Sequence, residues 1–302
     1  MEEGEAKMDV VNQKECIKLI RDFINEKLDG DIERIKDFNF NELREDKKYG
    51  CPDYNKGFDA DDTILARAIY CVVWGDALPD INLNNIGRGK DYRGDIINSF
   101  NTLFSRDLNE KLSNIRNNNY KELEIGYGIK SFKVEDEKLR QSIIVFHRLY
   151  PTIGNMALLP NRPYKNNTIN QYRGVSWGDY NHKFLLELKL CILQDDRRNK
   201  VLEELLNYNN FYFNRFEKNE RGFLEFCKLN YLERYIIKNE EIFGVKDVNI
   251  DKVYPVWHRA KTWNGNESDY NKFANRYIEK SSEVIKYRGN IILEQLKEKI
   301  YL

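Results

Sequence analysis

The chain has 302 residues, of which 41% are hydrophobic and 32% charged, with 49 Lys+Arg against 49 Asp+Glu. A protein of this length buries roughly 75% of its unfolded surface and needs neither disulfides nor a metal for stability. A net charge of zero excludes a global field towards nucleic acid or anionic membrane, so any nucleic-acid site has to be a local basic patch.

The first residues, MEEGEAKMDVVNQKE, are acidic and polar where a signal peptide needs basic and then apolar residues. No window approaches the roughly 18 apolar residues of a membrane span, so the expected setting is cytoplasmic, with no membrane partner. Cys16, Cys51, Cys71, Cys191 and Cys227 are odd in number and form no C-x-x-C pair, which reads as reduced, mostly buried thiols.

Cys16, Leu19, Ile20, Phe23, Ile24 and Leu28 form one stripe at helical spacing and predict an amphipathic helix. A second helix, ILARAIYCVVW, starts after FDADDT, where Asp61, Asp62 and Thr63 are placed to cap its free N–H groups. It breaks into a long Gly-, Asn- and Arg-rich loop, and helix resumes with Asp95 as N-cap. Loops of this length in compact domains are usually functional or disordered. Arg88, Lys90 and Arg93 alternate with Gly87, Gly89 and Gly94, a pattern that lets backbone and cations curl around an anion; the plainer reading is a solvated surface loop.

A third helix is expected over residues 134–149, closed by His147 and Arg148, which suit its dipole, and stopped by Pro151. Arg140 and His147 match the loose R-x6-H spacing of helical HEPN-type ribonucleases, although a capping or interfacial histidine is the commoner role. Periodicity then stops over residues 150–182. Thr152, Asn155, Asn161, Asn170, Gln171 and Arg173 lie between the apolar anchors Ile153, Leu158, Leu159 and Ile169. Amides and a guanidinium fork suit base edges and phosphates, and Tyr164, Tyr172 and Trp177 offer stacking faces. The same residues equally serve to shape turns and satisfy buried backbone. Further helices are expected over 182–193, 197–209, 219–237 with a weak point at Gly222, and 268–299. Strand candidates are 132–134, 156–159 and 253–256.

The expected fold class is therefore mainly α with a small β element (α+β). It divides into an N-terminal helical segment, 1–50, and a main helical domain, 51–302, or forms one continuous domain over 1–302.

Around Thr152-Ile153-Gly154, Leu158 and Pro160, followed by Thr168-Ile169-Asn170-Gln171 and Arg173-Gly174, the chain resembles an uncharacterised bacterial family, a domain of unknown function. Its pattern is TIG-x-x-x-L-x-P and then TIN-Q-x-RG, with RGDIINSFNTLF at 93–104 belonging to it. The resemblance covers residues 55–235 and implies a stand-alone bacterial or phage-borne cytosolic protein, without implying an activity or a cofactor.

No phosphate loop, dinucleotide fingerprint or nucleophile elbow is present. The cluster Asp59, Asp61 and Asp62 reads as a cap, not a metal site. Whether the chain is an enzyme stays open. The favoured expectation is a nucleotide- or RNA-directed protein, with a role in phage defence or counter-defence, whose site is lined by Arg93, Asn101, Thr152, Asn155, Asn170, Arg173 and Trp177. The alternative is a non-enzymatic protein–protein interaction module that forms a homo-oligomer through its C-terminal helix.

Overall fold

The computed structural model describes residues 2–51, 58–98, 137–177, 181–237, 241–242 and 267–301. Asn101 and the strand candidates at 132–134 and 253–256 lie outside the described residues.

Helix α1 (Glu2–Lys27) buries the stripe read from the sequence: Cys16, Ile20, Phe23, Ile24 and Leu28 are all at most 3% exposed. Each such large apolar side chain stabilises the fold by about 1.5–3 kcal/mol. Two short 3-10 turns, Ile32–Asp37 and Phe40–Leu43, follow. Helix α2 (Ile64–Trp74) is the most apolar element, and its first N–H groups are satisfied by three different means. Thr63 Oγ1 accepts from Ala66 N, while the Ile64 and Leu65 amides donate to the Gly50 and Tyr49 carbonyls, so no orphan donor is buried.

Strand β1 (Tyr92–Ile96) pairs antiparallel with β2 (Met156–Pro160), with Tyr92 opposite Pro160 and Ile96 opposite Met156. The two non-periodic segments of the sequence thus meet in space. Helix does not resume at Asp95, which sits inside β1. Gly94 is what lets β1 lie flat on the turn Ala60–Asp62, because a Cβ there would collide with the Asp61 carbonyl and meet the Tyr70 hydroxyl at 2.6 Å.

Helices α3 (Glu137–Leu149), α4 (Ile169–Trp177), α5 (Asn181–Ile192), α6 (Lys200–Tyr208), α7 (Asn210–Phe213) and α8 (Glu220–Leu229) come next. The helix expected over 219–237 ends at Leu229, and the short pair β3 (Ile236–Ile237) and β4 (Glu241–Ile242) follows. Helix α9 (Glu267–Tyr301) packs along α3, α2, α1 and the turns Ile32–Asp37 and Ile153–Asn155. Its inward residues, Ile278, Val284, Ile285, Ile292, Leu293, Leu296 and Ile300, are all at most 2% exposed. These side chains of the C-terminal helix are therefore covered within the chain.

The described chain is mainly helical, with short antiparallel strand pairs, as the sequence pattern implied. One buried cluster runs from Cys16 to Ile300. No described helix is long and apolar enough to cross a membrane.

Candidate functional site

The ribbon β1–β2 organises the polar residues singled out in the sequence. Two-stranded ribbons are marginal alone, and arginines from two helices hold this one. Arg173 of α4, 2% exposed, donates to the Ile97 and Ile96 carbonyls at 2.9 and 2.5 Å and pairs with Asp95 at 2.5 Å. Arg288 of α9, fully buried, donates to the carbonyls of Gly154, Met156 and Asn230. Burial lowers its pKa to about 10, and it still holds its charge at neutral pH.

Asn155 is 0% exposed and fully engaged: its Oδ1 accepts from the Asn98 amide at 3.0 Å, and its Nδ2 donates to the Asn98 and Tyr150 carbonyls. Tyr235 donates its hydroxyl to Asn98 Oδ1 at 2.5 Å. Thr152 is buried and donates to the Leu149 carbonyl at 2.8 Å, closing the end of α3. These hydrogen bonds of Thr152, Asn155 and Arg173 thus all go to groups of the protein itself. Asn170 lies half-buried in the first turn of α4, which Thr168 and Gln171 close as a reciprocal capping box: Gln171 N donates to Thr168 Oγ1 and Thr168 N to Gln171 Oε1. Trp177 is the last residue of α4.

Arg93 belongs to a different setting. With Asp95 it shares one face of β1, two residues apart, and from there it reaches Asp59 at the start of the turn Ala60–Asp62. A row of arginines and aspartates results, running from the surface inwards: Arg88, Asp59, Arg93, Asp61, Asp95, Arg173. Side-chain exposure falls along it from 31% at Arg88, 30% at Asp59 and 24% at Arg93 to 10% at Asp95 and 2% at Arg173. Arg93 Nη2 donates to Asp59 Oδ2 at 2.7 Å, whereas Arg88 stands 3.8 Å from the same oxygen and 3.9 Å from Asp62. Asp62 is held by Arg67, whose Nε and Nη2 lie 3.1 and 2.9 Å from its Oδ1.

Asp61 is 3% exposed, and its Oδ1 has no hydrogen-bond partner among the described residues. Burial, and then the neighbouring charge of Asp59, raises its carboxyl well above the ordinary value of 3.8, which favours the neutral form. The acidic cluster is not the helix cap that the sequence implied. Thr63 caps α2, and Asp59, at the N-cap position of the 3-10 turn, makes no side-chain cap bond. Among the described residues no three His, Cys, Asp or Glu side chains are placed to hold a metal ion.

The loop before β1 has positive φ at Gly87 (131°) and Gly89 (70°), which suits glycine. Gly87 lies against the Arg67 guanidinium, and Lys90 is exposed beside it. His147 is partly buried on α3, and burial followed by the charge of Arg148 lowers its pKa, which leaves it neutral at pH 7. No family model, curated protein or solved structure matches the chain.

Proposed function

We propose that the protein binds a phosphate-bearing ligand, a nucleotide or an RNA strand, at the outer end of the charge row. The observation that supports this reading is the convergence of Arg88 and Arg93 on one partly exposed carboxylate, with Lys90 exposed on the same glycine-shaped loop. Guanidinium groups match phosphate geometry and lysine adds a point charge. All five cysteines are free thiols, which suits a reducing cytosol.

The test is to denature purified protein and examine what it releases by absorbance ratio and mass spectrometry, then to titrate Arg88→Ala/Lys90→Ala with the compound recovered. Stoichiometric nucleotide or RNA, with affinity reduced about tenfold or more in the variant at unchanged melting temperature, is the expected result. A clean blank, together with no binding of inorganic pyrophosphate or a labelled oligoribonucleotide, removes this reading.

The interaction-module reading is favoured by one feature, a groove of about 680 Å³ between α3 and α9 lined by Val145, Ile278, Ser142 and Ser282. Light scattering that finds a monomer, with no partner recovered, counts against it.

A further inference from the structure

Asp59 is the pivot of the outer charges, and its place there is not explained by local folding. Its side chain caps nothing; its backbone is tied to Cys51, whose Sγ donates to the Asp59 carbonyl at 3.0 Å and accepts from the Asp59 amide at 3.4 Å. It engages Arg93 through Nη2 alone, and Arg93 Nε is buried with no hydrogen-bond partner among the described residues. One half of a fork built for two parallel bonds is therefore idle. Arg88 stands off at 3.8 Å, beyond hydrogen-bond range. Behind them lies Asp61, nine-tenths buried, with Oδ1 unpartnered. An unmet buried polar atom is costly and needs a reason.

Resting on the phosphate reading above, we infer that Asp59 is a built-in competitor for the anion seat: its carboxylate stands where the ligand's phosphate goes, and the ligand binds by displacing it. A phosphate has more acceptor oxygens than a carboxylate. Seated between the two arginines it meets Arg93 through both Nε and Nη2 and draws Arg88 into hydrogen-bond range. The idle donor, Arg93 Nε, thereby gains the acceptor that Asp59 leaves it without. Asp59 is 30% exposed on its side chain, so its exit leads straight to water.

The same competition is expected to exclude weak anions from the seat. A ligand with one negative oxygen offers no more than Asp59 already does, at the cost of immobilisation, whereas a phosphate monoester or diphosphate gains two hydrogen bonds. Ligand choice is thus set by the number of charged oxygens, not by overall charge.

The experiment is calorimetric titration of the whole protein with inorganic pyrophosphate, for wild type, Asp59→Asn and Arg93→Ala. Removing the competing charge is expected to tighten binding about fivefold, the scale of a partly exposed ion pair, while Arg93→Ala abolishes it. Wild-type binding with no tightening in a folded Asp59→Asn overturns the inference and leaves the phosphate reading standing. No binding by any of the three overturns both. Should Asp59→Asn melt early, Asp59→Ser serves, and wild type gives a second readout: the Arg93 ¹⁵Nε–H resonance shifts on saturation with pyrophosphate if Nε gains an acceptor, and an unmoved resonance sinks the proposal.

Discussion

Buried polar side chains in this protein fall into two kinds, and each kind has its own test. Arg173 neutralises Asp95 and closes two backbone carbonyls at the end of β1. Arg173→Ala strands a buried carboxylate, so it is expected to cost about 3–5 kcal/mol, read by chemical denaturation. Asp61 is the opposite case, an acid the fold prefers neutral. Its folded pKa lies above the unfolded value of 3.8, so its contribution is full below that pH and is lost as the pH rises towards the folded value. Asp61→Asn keeps the shape and removes the titration. The variant's melting temperature should therefore gain on wild type steadily from pH 4 to pH 7; a constant offset would show that Asp61 does not hold its proton. None of this was readable from residue types. Asn, Thr and Arg in a stretch without periodicity look the same whether they face a ligand or a carbonyl, and only the fold shows that Asn155 is closed on Asn98 and Tyr150.

Elements were legible where the sequence is a continuous apolar run. Helix α2 follows its apolar run, Ile64–Trp74, residue for residue, and β2 appears where Met-Ala-Leu-Leu predicted a strand. Strand β1 was missed because Tyr92, Gly94 and Asp95 are all buried, which breaks the period-two alternation. Helix α4 was missed although its signal was present, since Thr168-Ile169-Asn170-Gln171 is a capping box. The Thr-Ile-Gly segment has an equally local cause. A Cβ on Gly154 would strike the Ile285 carbonyl and come within 2.9 Å of the Gly289 amide, whereas one on Gly289 would find only contacts of 3.7–3.8 Å. Gly154→Ala should cost about 1–3 kcal/mol through overpacking, and Gly289→Ala, inside α9, should be neutral or stabilise by up to about 1 kcal/mol. Thermal denaturation of the two variants separates the glycine that is needed for close approach from the one that is not.

At the scale of the whole molecule, α9 is the element on which the others depend. It touches α1, α2, α3 and both the 32–37 and 153–155 turns, and it supplies Arg288 to the ribbon. A chain ending before residue 267 is expected to lose cooperative unfolding altogether, checked by near-ultraviolet circular dichroism. The neutral composition suited the mainly helical fold but carried no trace of the charge row, because its cations and anions balance. That row emerges only when the turn Ala60–Asp62, the glycine loop and β1 are brought together.

The three carbonyls gathered by Arg288 also set a timetable. Gly154 and Met156 are made 134 and 132 residues before the side chain that completes them, which at about 5–20 residues per second is an interval of roughly 7–27 s on the ribosome. Throughout it the ribbon has the Arg173 contacts without those of Arg288, and its edge is open to other strands. The nascent chain is therefore most vulnerable to mispairing, and most in need of a chaperone, in the interval after β2 emerges and before its last helix does.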